Sequence, residues 1–526
     1  MASQQHQPSP LALMLQGTGS DVGKSMLLAG LARALVRRGL KVRPFKPQNM
    51  SNNAAATIEG GEIGRAQALQ AQACYLPPTI WMNPILLKPE AAGRAQVIVL
   101  GQRETTLKAA DYQNYKAGLL PRVLSAWQKW QGAINLDGKT YPAPDMMLVE
   151  GAGSASEVNL RENDLANMGF ATATKTPVIL VADIDRGGVI ASIIGTWQVL
   201  PPDERALLRG YIINKFRGDT ALFAPAILRI KAETGLECLG IVPWFAAAAL
   251  LPAEDSLGLG KYAPKNGAAA QELNSDNPKK IRIAVPQLPH IANFDDLDPL
   301  VAEPRIDLSF ITPGQVIGGD VDVVILPGSK STLADLAFLR AQGWDIDILA
   351  HVRQGGFVLG LCGGYQMLGQ SISDPDGIES ATPGERAMGL GLLAVDTILH
   401  KHKQVGRRDG MAMGHPVTGY EIHLGETLGA DAHRPMIAPA PDSQYPAEGG
   451  AMSPSGLVMG CYLHGIFGNN GFRQAYLQQI HADFHSELDY GHNIDRILDD
   501  LAVHLESVLN IDQILSIAGE ESMVSF

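Results

Sequence analysis

The sequence has few cysteines, few charged residues and no long apolar run. Its 526 residues include four cysteines without CxxC pairing or framework spacing, so we expect a reducing, cytoplasmic setting. Only 18% of residues are charged and the net charge is −12, which argues against a general nucleic-acid or anionic-membrane surface. No apolar run approaches the ~20 residues of a membrane helix, and the polar start MASQQHQPSP lacks a signal-peptide pattern.

What the chain does contain is a repeated alternation of apolar runs and helical stretches. In the first half, each apolar run ends in a polar residue before the helical stretch begins, and the runs are 11–15, 146–149, 178–182 and 211–213. This alternation predicts a doubly wound parallel sheet, in which ligands gather at the carboxyl ends of the strands. A second strand–helix series starts at 281, so we predict an α/β chain with two doubly wound domains.

Composition suggests where these domains meet. Residues 253–280 are rich in Gly, Asn, Ala and charge and are predicted to be a linker, while apolar periodicity after 486 predicts a terminal helix. The predicted segments are 1–252 as a nucleotide- and substrate-binding domain, 253–280 as the linker, 281–485 as a second domain and 486–526 as a helical tail. Residues 371–390 and 401–414 are predicted to be surface loops.

The stretch Gly17–Ser25, GTGSDVGKS, follows the first predicted strand and opens a helix predicted from Lys24 to Arg38. Its backbone N–H groups and the helix N-terminus are suited to phosphate, Lys24 to terminal phosphate oxygens and Ser25 to magnesium. The alternative is a Gly-rich turn without a ligand. Five residues, rather than the usual four, separate Gly17 from Gly23.

This longer loop resembles that of dethiobiotin synthetase and its relatives. The absence of lysine from Gly17-Thr18-Gly19 counts against a partition-type ATPase. The resemblance implies that Lys46 contacts phosphate and a substrate carboxylate, and that Glu150 binds magnesium, a cation that prefers hard oxygen ligands. The residues expected to bind ATP are Gly19, Ser20, Asp21, Val22, Gly23, Lys24 and Ser25.

Four further polar residues are candidates in this half. Glu62 could contact a metal or the substrate. Asn214 could read the adenine edge or be an ordinary strand-end asparagine. Asp183 and Asp185 could bind magnesium, position the substrate or cap the following helix.

Cys362 follows the apolar run FVLGL and stands between glycines at the expected start of a helix. A cysteine on such a turn is exposed to substrate and favoured as thiolate by the helix dipole. The N–H of Gly363 and a donor at Gly328 could stabilise an oxyanion. His464, which opens a Gly-rich turn after another predicted strand, is the candidate base; the alternative for Cys362 is an inert buried thiol.

The stretch GLCGGYQ, with His464 later in the chain, resembles the class I glutamine amidotransferases, whose domain is flavodoxin-like. This resemblance implies that Gln366 helps to hold glutamine. The glutamate that the family places two residues after the histidine is replaced here by Ile466. Either another residue orients His464, with Glu421 as a weak candidate, or the site works as a Cys–His dyad.

Together these motifs resemble the cobyric acid synthase family nearly end to end. The shared segments include LMLQGTGSDVGKS, FKPQNMSNN, GGEIGRAQALQAQA, VEGAGS, DIDRGGV, LPGSKST, GLCGGYQMLG, GYEIHLG and GCYLHGIFGN. The resemblance implies amidation of the b, d, e and g carboxylates of adenosylcobyrinic acid a,c-diamide, with ATP, glutamine and Mg²⁺. Alternatives are a related ligase such as cobyrinic acid a,c-diamide synthase, or a nucleotide-switch ATPase carrying a degenerate amidotransferase module.

A corrin with several carboxylates should meet a locally basic pocket. The candidate cations are Lys46, Arg65, Arg94 and Arg186, although each could be a solvated surface charge. Asn49, Ser51 and Asn52 are polar donors suited to carboxylate and amide groups of the corrin. No nucleic-acid partner is expected, and a homo-oligomer is left open.

Overall fold

The computed structural model describes residues 9–90, 93–252, 254, 280–380, 382–441 and 443–519. The predicted linker lies outside these residues apart from 254 and 280. Two six-stranded sheets dominate the structure, one in each half of the chain. No helix in the described ranges is both long and apolar enough to cross a bilayer.

The first sheet is entirely parallel. Its strands, in spatial order, are Glu237–Pro243, Leu208–Phe216, Val178–Asp183, Leu11–Gly17, Met146–Glu150 and Val42–Phe45. Successive side chains point to opposite faces, so Met146 and Leu148 enter one apolar core while Met147 and Val149 enter the other. The helices that cover the two faces are Lys24–Arg37, Arg65–Ala73, Ala109–Lys116, Leu120–Gln131, Met168–Thr174, Val189–Val199, Pro202–Arg205 and Ala224–Thr234.

The second sheet is parallel except for one edge strand. Its strands, in spatial order, are Ile306–Ile311, Ile281–Pro286, Val323–Leu326, Phe357–Leu361, Val458–Cys461 and the antiparallel Ala451–Met452. Its helices are Asp298–Val301, Thr332–Ala341, Trp344–Arg353, Gly363–Leu368 and Asn470–Ile480. Two doubly wound α/β units are therefore present, as the alternation of apolar runs predicts.

Five smaller sheets accompany these units in the described residues. The four-stranded ones comprise Gln48–Met50, Ile85–Pro89, Arg94–Val99 and Gln102–Lys108, and Glu385–Met388, Ser371–Asp374, Val395–Ala412 and His415–Gly429. The two-stranded ones pair Ala54–Ala56 with Glu62–Gly64, Ile134–Leu136 with Lys139–Tyr141, and Ile291–Ala292 with Gly328–Ser329.

The prediction of a surface loop at 401–414 is wrong. The long strand Val395–Ala412 pairs with His415–Gly429 over most of its length. Residues near the middle of this strand are charged and exposed. The alternation of apolar and polar residues that marks a half-buried strand is therefore not visible in the sequence. Residues 371–390 include two short strands, so that predicted loop is also partly ordered as sheet.

The C-terminal helices pack on the first unit. Helix Tyr490–Val508, which is followed by Ile511–Gly519, lies along Lys24–Arg37, and Arg33 forms an ion pair with Asp495 at 2.6 Å. Gly30 permits this close approach, since a Cβ there would lie 2.6 Å from Leu505 Cδ1. The predicted terminal helix thus completes the core under the phosphate-binding loop.

Candidate active sites

The glycine-rich loop and its helix form one wall of a cavity of about 800 Å³. Gly23 has a φ of 93°, a left-handed conformation that favours glycine, and the helix begins at Lys24. Lys24 Nζ donates to the carbonyl oxygen of Gly153 at 2.9 Å. Burial lowers the pKa of Lys24, an effect that nearby Glu150 partly offsets. The loop residues that line the cavity are Ser20, Asp21, Gly23, Lys24 and Ser25; Gly19 and Val22 belong to the same loop without lining it.

Hard oxygen donors and a lysine converge at the floor of this cavity. Ser25 Oγ donates to Glu150 Oε1 at 2.7 Å, and Lys46 Nζ lies 2.9 Å from the same oxygen. Lys46 also pairs with Glu254 at 2.8 Å. Burial alone would lower the pKa of Lys46, but Glu150 and Glu254 outweigh it and raise that pKa. Ser25 and Glu150 are therefore placed to share a divalent cation, whose preference is for such oxygens.

Glu254 is a residue of this site that sequence reasoning missed. It falls within the predicted linker, where nothing in the composition distinguishes it from neighbouring charges. In the structure it contacts Ser25 Oγ at 3.0 Å as well as Lys46.

Asn214 does not line the cavity, but its side chain holds the glycine-rich loop by a hydrogen bond. Its side-chain amide donates to the carbonyl oxygen of Val22 at 2.8 Å, and it lies against Gly23. Asn214 lies two residues before the end of the strand Leu208–Phe216, rather than after the strand as predicted, and it holds the phosphate-binding loop. This contact does not test whether Asn214 recognises the adenine edge, and that role stays a prediction.

Glu62 is not supported as a metal ligand. It is fully buried, and its two oxygens accept separately from Lys88 and Lys403, each at 2.5 Å. Burial would raise the pKa of Glu62, but Lys403 and Lys88 outweigh it and hold that pKa well below its usual range. Because Lys403 belongs to the long hairpin of the second unit, Glu62 joins the two halves of the chain.

The corrin-contact candidates fall into two groups. Lys46 and Asn49 line the cavity, whereas Ser51 and Asn52 do not. Ser51 is buried and bonds the carbonyl oxygen of Asn53.

Three arginines predicted to meet the corrin do not line the cavity, and each is paired with a carboxylate. Arg65 pairs with Asp295 of the second unit at 3.0 Å, so it also joins the two halves. Arg94 lies 3.7 Å from Glu90, and Arg186 lies 3.3 Å from Asp21. Nothing in their geometry singles them out as corrin ligands.

Asp183 and Asp185, at the end of the strand Val178–Asp183 and just beyond it, have local partners. Asp183 accepts from Lys215 Nζ at 2.8 Å and from the backbone N–H of Asp185 at 2.8 Å. Asp185 accepts from Arg217 at 2.8 Å. Of the three roles that the sequence leaves open for them, these contacts favour shaping the turn before the next helix.

Cys362 stands on a strained turn between the strand Phe357–Leu361 and the helix Gly363–Leu368. Its φ of 52° and ψ of −110° are unusual for a residue with a side chain. Glycines at 360 and 364 make the turn feasible, because a Cβ at Gly360 would lie 2.7 Å from the carbonyl carbon of Gly364. The turn projects the thiol from the end of the strand, as a nucleophile requires.

His464 is oriented by Asp296. Its Nδ1 lies 2.7 Å from Asp296 Oδ2, and the other oxygen of Asp296 accepts from the N–H of Gly465 at 2.6 Å. Burial would lower the pKa of His464, but Asp296 and the adjacent Cys362 raise it to about 10. The three side chains form a Cys–His–Asp arrangement in which the carboxylate fixes the imidazole and stabilises its charge.

Asp296 was missed by sequence reasoning, and Glu421 is not its substitute. Glu421 accepts from Arg408 Nε at 3.1 Å and from the N–H of Glu448 at 2.8 Å. Asp296 lies 168 residues before His464, in the turn Phe294–Leu297, so no motif spacing connects the two.

Gly363 and Gly328, the expected sources of oxyanion donors, lie close to the catalytic pair, and their role as donors stays a prediction. A Cβ at Gly363 would lie 2.9 Å from the backbone nitrogen of Ser329, and a Cβ at Gly328 would lie 3.4 Å from His464 Cε1. Gln366 donates to Leu424 O and to Tyr462 Oη, both at 3.1 Å, and accepts from Thr332 Oγ1. Its amide is occupied within the protein, which favours a structural role over contact with glutamine.

Comparisons with known proteins agree with this two-site arrangement. Residues 13–258 match the family model described as CobQ/CobB/MinD/ParA nucleotide binding domain, and residues 282–472 match CobB/CobQ-like glutamine amidotransferase domain. A solved structure titled "Structure of PurLQS from Thermotoga maritima" aligns over 42% of this chain and 98% of its own, with 16% identity and a TM-score of 0.27, too distant to carry an argument.

Curated relatives are similar over almost the whole chain. Cobyric acid synthase of Paracoccus denitrificans (strain Pd 1222) is 52% identical over 508 residues, covering 96% of this chain and 99% of the relative. That of Hyphomonas neptunium is 52% identical over 97% of both chains, and that of Novosphingobium aromaticivorans is 50% identical over 97% and 99%. The chain belongs to the cobyric acid synthase family and is a glutamine-hydrolysing carbon–nitrogen ligase.

Proposed function

We propose that the protein amidates the b, d, e and g carboxylates of adenosylcobyrinic acid a,c-diamide with ATP and glutamine. The observation that carries this proposal is the presence of a phosphate-binding cavity and a Cys–His–Asp site in one chain that is similar to cobyric acid synthases over almost its full length. The cavity is also large enough for a ligand beyond the triphosphate of ATP.

Cys362 and its neighbours supply ammonia. The Cys362 thiolate attacks the side-chain carbonyl carbon of glutamine, and backbone N–H groups at Ser329 and Gly363 face the developing oxyanion. Imidazolium at His464 gives its proton to the leaving nitrogen, so that ammonia departs and a thioester remains. Water then adds to the thioester with His464 as base, which releases glutamate and restores the thiol. Asp296 holds the imidazole throughout.

The residues of the N-terminal cavity activate the acceptor carboxylate. Lys24 and the loop N–H groups hold the terminal phosphates, and Lys46 is placed to orient the carboxylate towards them. Ser25 and Glu150 would hold Mg²⁺, which when bound offsets phosphate charge. The carboxylate oxygen takes up the terminal phosphoryl group of ATP as ADP leaves. Ammonia then attacks the acyl carbon, and phosphate leaves with a proton from the ammonia nitrogen as the amide forms.

Asn49 and Lys46, which line the cavity, are the proposed corrin contacts. We retain Asn214 as a candidate for the adenine edge. All four cysteines are free thiols, and burial raises the pKa of Cys74, Cys238 and Cys461, which supports a reducing, cytoplasmic setting.

Mass spectrometry of the corrin after limited turnover tests the substrate. Wild-type protein with ATP and glutamine should convert the a,c-diamide through successive additions to four new amides. Cobyrinic acid without the a and c amides is the matched substrate control, because it is the acceptor of the alternative a,c-diamide synthase. Amidation of that compound but not of the a,c-diamide would overturn the proposal.

A further inference from the structure

The turn that carries Ser329 is held by a carboxylate that the mechanism above does not use. Asp335 is fully buried, and its Oδ2 accepts from the hydroxyl of Ser329 at 2.6 Å. The oxygen of the same hydroxyl accepts from the backbone N–H of Ser331 at 3.0 Å. We call residues 328–331 the Ser329 turn. Since the Ser329 side chain is bonded on two sides, its backbone cannot rotate without breaking one of these hydrogen bonds.

The backbone N–H of Ser329 points towards the turn of the nucleophile. Ser329 lies in a short antiparallel pair with Ile291, and the next N–H, that of Lys330, donates across this pair at 2.9 Å. Successive N–H groups of an extended segment point to opposite sides, so the N–H of Ser329 points away from the partner strand. On that side lies Gly363, where a Cβ would be 2.9 Å from the nitrogen of Ser329.

His290 completes the surroundings of Asp335. Its Nδ1 lies 2.8 Å from Asp335 Oδ1, and because a carboxylate can only accept, Nδ1 carries the hydrogen. The backbone N–H of His290 lies 3.3 Å from either oxygen. The hydrogen bond and charge of Asp335 raise the pKa of His290, against the effect of burial. Asp335 is also in the first turn of the helix Thr332–Ala341, whose dipole favours a carboxylate there, so Ser329 is bonded to a firmly held group.

The segment that contacts Asp335 also leads to the partner of the catalytic histidine. The strand Ile291–Ala292, which follows His290, is followed in turn by Phe294–Leu297, which contains Asp296. Asp296 Oδ2 lies 2.7 Å from His464 Nδ1. One buried carboxylate thus contacts both the turn that faces Gly363 and the segment that orients His464.

We propose that Asp335 is a positioning residue for glutamine hydrolysis: through the Ser329 hydroxyl it directs the Ser329 N–H at the oxyanion that forms when Cys362 attacks. This inference rests on the proposed hydrolysis of glutamine at Cys362 and explains how one of its donors is oriented. Such a donor acts only if it already points to where negative charge develops, so its orientation affects kcat rather than KM. His290 acts through Asp335.

Ser329→Ala tests this contact without removing the donor, because the backbone N–H remains. We expect kcat for glutamine hydrolysis to fall by about 10- to 100-fold, less than the roughly 10²–10³-fold loss for an entire donor, with KM within about threefold of wild type. Asp335→Asn should show the same split between kcat and KM. Ammonia-driven amidation should be unchanged in both variants, because it bypasses Cys362. Folded Ser329→Ala protein with a wild-type kcat would overturn the proposal.

Ser455→Ala is the matched control. The Ser455 hydroxyl oxygen also accepts from the backbone N–H two residues later, that of Leu457 at 3.3 Å. Ser455 is exposed and precedes the strand Val458–Cys461, whereas His464 follows that strand. The control should keep kcat within about twofold of wild type, on the scale of a surface substitution. Losses of kcat that are equal in Ser455→Ala and Ser329→Ala would overturn the proposal.

Two reagents distinguish a misdirected donor from general damage to the site. 5-Oxopentanoate has the carbon chain of glutamine with an aldehyde at the reacting carbon. The Cys362 thiolate adds to that carbon, and the electron pair of the carbonyl π bond moves onto oxygen beside the donors. Iodoacetamide alkylates the same thiolate with loss of iodide and forms no oxyanion.

The two reagents should respond differently to the substitutions. In Ser329→Ala and Asp335→Asn the inhibition constant of 5-oxopentanoate should rise about 10-fold or more, while the rate of alkylation stays within about twofold of wild type. Equal changes with both reagents would show that the thiolate itself is disturbed and would overturn the proposal.

His290 offers a rescue experiment. His290→Ala removes the Nδ1 donor to Asp335 and should lower kcat about 10-fold, on the scale of one hydrogen bond to a charged group. His290→Asn places an amide N–H near the same position and should restore kcat to within about threefold of wild type. Equal losses in the two variants would overturn the role given to His290.

Failure of this inference differs from failure of the proposed function. Wild-type protein that releases glutamate, with Ser329→Ala and Asp335→Asn equally active, would refute the positioning role alone. Wild-type protein that releases no glutamate from glutamine, or Cys362→Ala protein that still does so, would refute the proposed function and this inference with it.

Discussion

The two candidate active sites differ in how their residues are assembled. In the nucleotide cavity, Lys24 and Ser25 come from one loop, and Glu150 comes from the end of a neighbouring strand. In the glutamine site, a strained cysteine meets a histidine and an aspartate from distant turns. Phosphate binding can thus be built from a local motif, whereas a catalytic Cys–His–Asp arrangement depends on the complete fold.

The sharpest way to separate the sites is to disable each in turn. Cys362→Ala should lower glutamine-driven amidation by ~10⁴-fold or more while ammonia-driven amidation continues, because only the nucleophile is lost. Lys24→Ala should lower amidation from either nitrogen source by ~10²–10³-fold yet retain glutamate release. Parallel assays of glutamate and amidated corrin check both effects, and Lys24→Ala protein that still amidates from ammonia would contradict the account.

Asp296→Asn tests whether the glutamine site is a triad or a dyad. Loss of the carboxylate removes the group that fixes the His464 ring, so kcat for glutamine hydrolysis should fall by ~10³–10⁴-fold. Ammonia-driven amidation should be unaffected. Asp307→Asn, an exposed change of the same charge in the same unit, is the control and should match wild type. A similar kcat in both variants would mean that His464 works without Asp296.

The pH dependence should reveal the same contact. The pKa of His464 is raised to about 10, so its pairing stabilises the fold fully below its ordinary value near 6.5 and progressively less as pH rises to about 10. In Asp296→Asn the pKa should fall, and the alkaline loss of this contribution should begin at lower pH. Denaturant unfolding of both proteins from pH 6 to 10 measures this; parallel pH curves would contradict the pairing.

Glu62→Gln should affect stability more than chemistry. The change leaves Lys88 and Lys403 buried without their shared counter-charge, so the free energy of unfolding should fall by ~3–5 kcal/mol. Glu237→Gln removes an exposed partner of Lys231 and should cost under ~1 kcal/mol. Urea unfolding compares the two variants. If Glu62 instead binds metal, wild-type protein should show magnesium-dependent stabilisation that Glu62→Gln lacks.

The smallest effect is expected for Arg94→Ala. Arg94 is partly exposed, lies 3.7 Å from Glu90 and does not line the cavity. We expect a change in unfolding free energy below ~1 kcal/mol and a KM for the corrin within about twofold of wild type. A large rise in that KM would restore Arg94 as a substrate contact.

The sequence could predict what is local. Buried strands with polar ends located Lys24, Glu150 and Cys362, because a strand, a tight turn and a helix start are specified by adjacent residues. The candidate base His464 was also found, since it follows a strand and precedes a glycine.

What the sequence could not predict depends on contacts between distant segments. Asp296 reaches His464 across 168 positions, and Glu62 reaches Lys403 across 341. Gln366 matches its motif, but its hydrogen bonds are set by Tyr462 and Leu424, which only the fold brings near. The exposed charges of the long hairpin obscured its strand pattern.

Nitrogen tracing tests the central claim that the two sites serve one reaction. Wild-type protein is supplied with amide-¹⁵N glutamine, ATP and the a,c-diamide. The mass of the corrin product is then measured by mass spectrometry. We predict ¹⁵N in each new amide for wild type. In Cys362→Ala we predict none from glutamine but full labelling when ¹⁵N-ammonia is supplied instead. Transfer of ¹⁵N from glutamine to the corrin by Cys362→Ala would contradict the account.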